Sequence, residues 1–173
     1  MKKIKIKLNK ATKLKNALEQ SIEQDNSLIT KWNEIIKGNN REVDIREIEN
    51  LKDYKSEFLI ELNLSIQEAN FKKDKDETKS NAYYIKRLSE LQRQKSFYQK
   101  LETRNGTFVI EKKMTVVYES LITSTDVTSQ IKNLDKEINN LQNKLSTFNE
   151  THEITISYDP LLNDIIESVG IEV

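Results

Sequence analysis

Lys3 to Leu8 alternates lysine with Ile4, Ile6 and Leu8. Successive side chains of a strand point to opposite faces, so this run predicts a half-buried β-strand with a solvated lysine face. Lysines also suit a sheet edge, where charge deters pairing with another chain. From Asn9 the apolar spacing changes to three and four, through Ala11, Leu14, Leu18, Ile22, Ile29, Trp32 and Ile36, with Asp25 interrupting the stripe. That spacing predicts a first helix. Gly38-Asn39-Asn40 should end it, because Gly and Asn tolerate the left-handed conformation of a helix C-terminus.

A second helix is predicted to open at Asp44, whose carboxylate can cap the first turn, with Glu47 three positions on completing a capping-box-like pair. Its stripe runs Ile45, Ile48, Leu51, Lys55, Phe58, Leu62, Ile66 and Ala69, and Lys55 is its polar intrusion. After Asn70, the polar run Lys72 to Lys79 predicts a solvated turn. A third helix is expected from Ser80 or Asn81 to Glu102 through Tyr84, Leu88, Leu91, Lys95, Tyr98 and Leu101, stopped by Asn105-Gly106. The β-branched and aromatic run from Thr107 to Thr123 fits either one long strand or a hairpin pivoting near Lys112-Lys113.

Ser124-Thr125-Asp126 supplies N-cap chemistry for a fourth helix. Its stripe Val127, Ile131, Leu134, Ile138, Leu141, Leu145 and Phe148 steps alternately by four and three, a narrow coiled-coil-like seam. Ile154, Ile156 and Tyr158 alternate along a closing strand next to the earlier β material, and beyond Pro160 the segment Leu161, Leu162, Ile165, Ile166, Val169 is a short amphipathic piece. Segments below roughly 12 residues rarely hold a helix alone in water, so this tail must dock on something. The expected fold is mainly α: four long antiparallel helices with a small antiparallel β element. Residues 1–158 are expected to form one domain and 159–173 an acidic docking tail.

Charge sharpens the picture at the ends. Residues 1–15 hold seven lysines and no acid, whereas residues 149–173 hold six acids and no Lys or Arg, although the chain as a whole is neutral. Zero net charge argues against generic nucleic-acid binding, and the basic N-terminus lacks the arginine and interleaved aromatics that base readout needs. No apolar run approaches the roughly 18 residues that span a bilayer. A soluble protein is expected, cytoplasmic or incorporated in a virion particle.

Candidate chemistry is sparse. The chain has no cysteine, and its one histidine, His152, lies among acids beside a helix end. Thiolate metal sites, a two-histidine metal site and a cysteine nucleophile are thereby excluded within one chain. Gly38, Gly106 and Gly170 belong to no phosphate-binding loop, and the carboxylate pairs Glu47/Glu49 and Asp74/Asp76 fall on solvated segments where nothing separates their pKa values. The expectation is no catalytic residue, no cofactor and no metal, hence no enzyme.

Partner binding is the alternative to chemistry. The expected contacts are the tail (Leu161, Leu162, Ile165, Ile166, Val169), the lysine face of the first strand (Lys3, Lys5, Lys7) and an aromatic patch at Tyr83 and Tyr84, extended by Phe97 and Tyr98. A tail buried in a neighbouring copy, with the lysine strand facing acidic surface, would give the head-to-tail contact that closes rings. The other possibility is that the acidic tail folds back on its own basic N-terminus.

Ala11-Thr12-Lys13-Leu14-Lys15-Asn16, Ile66 to Asn70, Leu88-Ser89-Glu90-Leu91, Thr125-Asp126-Val127 and Asn149-Glu150-Thr151 occur in an order that resembles the septicolysin-like family of small helical bacterial proteins, over residues 4–156. The resemblance implies fold more than function; the family's cytolysin label carries over no functional residues. The acidic extension after Tyr158 departs from it and suggests a specialised contact. By analogy, the Lys-, Asn- and Ile-rich composition with a docking tail looks like ring or connector subunits of tailed-phage virions. A non-enzymatic homo-oligomeric assembly protein, such a head-tail subunit with other assembly subunits as further partners, is the leading expectation. A membrane-active, cytolysin-type protein is the competing one.

Overall fold

A computed structural model of the chain describes residues 1–34, 43–72, 79–110 and 114–173. The order is β1 (Lys2–Lys7), α1 (Leu8–Trp32), α2 (Ile45–Phe71), α3 (Asn81–Lys100), β2 (Gly106–Ile110), β3 (Met114–Tyr118), α4 (Ser124–Thr151), β4 (Glu153–Tyr158), a 3-10 turn (Pro160–Leu162) and α5 (Asn163–Ser168). The protein is mainly helical with small antiparallel β elements, as expected. Among the described residues there are five α-helices rather than four, because the tail contributes α5. The expected stop at Gly38-Asn39-Asn40, the centre of the polar turn between α2 and α3, and the pivot at Lys112-Lys113 lie outside the described residues.

The chain forms two compact units, Met1–Asn81 with Ser146–Val173, and Ala82–Leu145. The expected boundary between a 1–158 domain and a separate tail is therefore corrected. The tail belongs to the first unit because its apolar side chains complete that unit's core.

In the first unit, β1 pairs antiparallel with β4, placing Ile4 opposite Ile156 and Ile6 opposite Ile154. Leu8 N–H donating to the His152 carbonyl at 2.9 Å extends the pairing by one step. The period-2 pattern on both strands turns Ile6, Ile154, Ile156 and Tyr158 inward and leaves Lys3, Lys5 and Lys7 exposed. Ala11, Leu14 and Leu18 of α1 meet Phe58, Leu62 and Ala69 of α2 in the same core, together with Phe148, Leu162, Ile166 and Ile171. Each fully buried Leu, Ile or Phe of this set contributes about 1.5–3 kcal/mol. Asp44 caps α2 as expected, its carboxylate accepting from the Arg46 and Glu47 N–H groups.

Three residues close the tail onto this unit. The Asp159 carboxylate accepts from the Leu161 N–H and starts the 3-10 turn. Gly170 adopts φ of +72° beyond α5, the left-handed position that ends many helices. The Lys10 ammonium donates to the Val169 and Gly170 carbonyls at 3.2 and 3.1 Å, satisfying acceptors that the helix end leaves open.

In the second unit, Leu91, Leu134 and Ile138 form a small core with Leu88, Tyr98 and Leu141 around it. The stripes expected for α3 and α4 supply all of these residues. Lys95 and Asp135 pair at 2.6 Å and Arg87 and Glu137 at 3.4 Å between the two helices, and the Lys144 ammonium sits 3.9 Å from the Tyr84 ring centre. The cap of α4 is one residue earlier than expected: Thr123 Oγ1 accepts from the Asp126 N–H while the Asp126 carboxylate accepts from Thr123 N–H. β2 pairs antiparallel with β3, Phe108 opposite Val116, so the run holds two strands rather than one long one.

Candidate functional site

Asp25 and Lys55, the two residues that interrupted the stripes of α1 and α2, meet. Lys55 Nζ donates to Asp25 Oδ2 at 2.6 Å, with the two residues only 7% and 8% exposed. Each helix thus carries a charge into the interface where the other carries its opposite, and neither charge is left alone. Beside this pair a cleft of about 430 Å³ opens between α1, α2 and the tail. Ala17 and Ser21 of α1, Leu51 and Lys55 of α2, and Leu162 and Ile165 of the tail form its walls, with the more exposed Gln20 and Gln24 among the α1 residues lining it.

The tail residues expected at a neighbour divide into two groups. Leu162 and Ile166 are 2% and 0% exposed within the chain's own core, so their assignment to a neighbouring subunit is corrected. Ile165 and Val169 are half-buried and pack on the same core. Leu161 alone of the five faces out, at 63% exposure.

Lys3, Lys5 and Lys7 share the outer face of the β1–β4 ribbon opposite Ser157, Thr155 and Glu153. Lys5 Nζ lies 2.6 Å from Glu153 Oε2. The hydrogen bond and charge of Lys5, with a smaller contribution from Lys7, hold the Glu153 carboxyl below the ordinary glutamate range. Because the folded pKa is the lower one, the pair's contribution is full above the unfolded pKa and is lost as pH falls through the folded value. Carbon-detected NMR titration should show Glu153 titrating below its usual range in the native chain and returning to it in Lys5→Met; an unchanged Glu153 in the variant would contradict the pairing.

The four aromatics of α3 do not make one patch. Tyr84 and Tyr98 lie on the inner stripe, Tyr98 against the Leu91 cluster. Tyr83 and Phe97 are 47% and 58% exposed, but 14 positions apart, about 21 Å along the helix. Each exposed ring packs edge-on against its inner neighbour, at 5.6 Å for Tyr83–Tyr84 and 5.3 Å for Phe97–Tyr98. Tyr83 and Tyr84 are thus a local pair and not the centre of a broad contact.

A second apolar line, absent from the expected contacts, runs along α2. Ile60, Leu64 and Phe71 are 60%, 60% and 70% exposed, on the face opposite the core residues Phe58, Leu62 and Ala69. Their offsets of four and seven were present in the sequence, hidden behind the stronger inner stripe. Asp53, Glu57, Glu61 and Glu68 are exposed beside this line, so the outer face of α2 is both apolar and acidic. Lys72 partners Glu68 at 3.3 Å near its end.

Elsewhere, Glu90 forms a surface pair with Arg93 at 2.8 Å. The Glu90 carboxyl is lowered to about 2 by hydrogen bonds from Arg93 and Gln94, one turn further along the same helix. His152 stacks on Phe148 with ring centres 3.7 Å apart, and its Nδ1 lies 3.2 Å from the Phe148 carbonyl. That places it at the end of α4 as a packing residue. Asp74 and Asp76 lie outside the described residues. Among the described residues no group of three or more His, Asp and Glu could hold a metal ion, and no helix is long and apolar enough to cross a membrane. No protein-family model, curated protein or solved structure matches the chain.

Proposed function

We propose that the chain is a non-enzymatic assembly protein that self-associates head to tail, as a ring or connector subunit of a tailed-phage particle would. The observation that carries this reading is the outer face of α2, where Ile60, Leu64 and Phe71 stand exposed between acids. Exposed apolar residues in a line, rimmed by charge, are the composition of an interface and not of an ordinary solvated helix face. The same unit presents a surface of the opposite charge, the lysine face of β1, in which Lys3 and Lys7 take part in no salt bridge among the described residues. Two different complementary surfaces on one chain fit a second copy of that chain, and they fit it heterologously, since α2 of one copy meets β1 of the next.

The tail acts inside each subunit in this reading. It closes the core beneath β1 and thereby holds the lysine face in place. Light scattering tests the proposal. The native chain should exceed the mass of one 20.3 kDa chain at low salt and lose mass at high salt, because exposed charges are screened. Ile60→Glu/Leu64→Glu should be monomeric at both. A native chain that is monomeric at low salt would overturn the proposal, and leakage of dye from liposomes by that monomer would favour the cytolysin-type alternative.

A further inference from the structure

We infer that the cleft between α1, α2 and the tail is a binding site for a small neutral carbonyl compound, an amide with an aliphatic chain. Lys55 is the reason. Its ammonium has three N–H donors and among the described residues makes one hydrogen bond, to Asp25, although the residue is only 7% exposed. Its remaining N–H groups are costly to leave unpaired in so buried a residue, and the open volume that Lys55 borders is this cleft.

The walls define the rest of the ligand. Leu51, Leu162 and Ile165 offer apolar surface to a hydrocarbon chain, while Ser21, Gln20 and Gln24 place a hydroxyl and two carboxamides along one face of α1. Carboxamides both donate and accept, which suits an amide better than an ion. Charge points the same way. Asp25 already neutralises Lys55, and Asp164 adds an exposed negative charge to the lining, so an incoming carboxylate would meet net negative charge. A cleft of about 430 Å³ lies within the range of small-ligand sites, about 300–1,000 Å³. This inference is independent of self-association, since α2 meets the cleft through Leu51 and Lys55 and the neighbouring copy through its opposite face.

The probe is hexanamide, compared with hexanoate, in a titration of the full-length protein followed by amide proton–nitrogen NMR. Hexanamide should give saturable shifts confined to the backbone around Gln20, Gln24, Leu51, Lys55 and Ile165, with a dissociation constant on the order of millimolar for so small a ligand. Hexanoate should bind about tenfold more weakly. In Asp25→Leu/Lys55→Met, which removes both charges together, hexanamide affinity should fall about tenfold or more. Should that variant not fold, Gln20→Leu/Gln24→Leu on the rim carries the same expectation of weakened binding. Absence of saturable shifts at these residues, hexanoate binding as tightly as hexanamide, or full affinity in a folded variant would each overturn the inference.

Discussion

Lys55→Met is expected to destabilise the first unit by about 3–5 kcal/mol, while Asp25→Leu/Lys55→Met should return it to native stability or above. The single change leaves Asp25, 8% exposed, as a charge without its cation in an apolar interface. Removing both charges eliminates the need to solvate either, and leucine and methionine can pack between α1 and α2. Urea unfolding followed through Trp32, the only tryptophan, reads the first unit directly because Trp32 ends α1. A cost under about 1 kcal/mol for the single variant would mean that the pair behaves as an exposed one.

Stopping the chain after Tyr158 should unfold the first unit. The truncation removes Leu162, Ile166 and Ile171, which are 2%, 0% and 7% exposed. Truncating a single buried Leu or Ile to Ala costs about 2–5 kcal/mol, and three such losses approach the whole stability of a typical domain, about 5–15 kcal/mol. Cooperative Trp32 unfolding should disappear in the truncated chain, and Ile166→Ala alone should shift the urea midpoint by the equivalent of about 2–5 kcal/mol. A truncated chain with the native midpoint would show that the tail's burial adds nothing. Lys10 connects the two chain ends in the same packing, since its ammonium reaches the Val169 and Gly170 carbonyls. The basic N-terminus and the acidic tail do come together in one chain, and that contact is a lysine at a helix end rather than a run of lysine–carboxylate pairs.

Helices α1 to α4 were legible because each keeps a stripe of three- and four-residue spacing over several turns, and the Asp44 cap was legible from its spacing to Glu47. The alternation in β1 and β4 fixed which face of each strand is buried. It could not fix the pairing, because Ile4 meets Ile156 across nearly the whole chain, and alternation specifies a face and not a partner. The tail posed the same difficulty. Its apolar stripe demands burial equally well on its own domain or on a neighbour, and only the geometry of Leu162 and Ile166 decides for its own. Asp25 and Lys55 were each visible as a defect in a helix stripe. Their pairing depends on α2 packing against α1 in one register, a property of neither helix alone. The outer line of α2 was missed for a simpler reason: Ile60, Leu64 and Phe71 are three residues in three turns, a pattern that the stronger inner stripe outweighs.

Head-to-tail contact makes a demand that no symmetric contact makes, and mixing two blocked variants tests it most directly. Ile60→Glu/Leu64→Glu blocks the α2 face and leaves β1 open, whereas Lys3→Glu/Lys7→Glu blocks β1 and leaves α2 open. By light scattering at low salt each variant alone should be monomeric, and an equimolar mixture should show a species near twice the 20.3 kDa mass of one chain and nothing larger. A mixture that stays monomeric, or a β1-blocked variant that still assembles by itself, would contradict the pairing of α2 with β1 across copies.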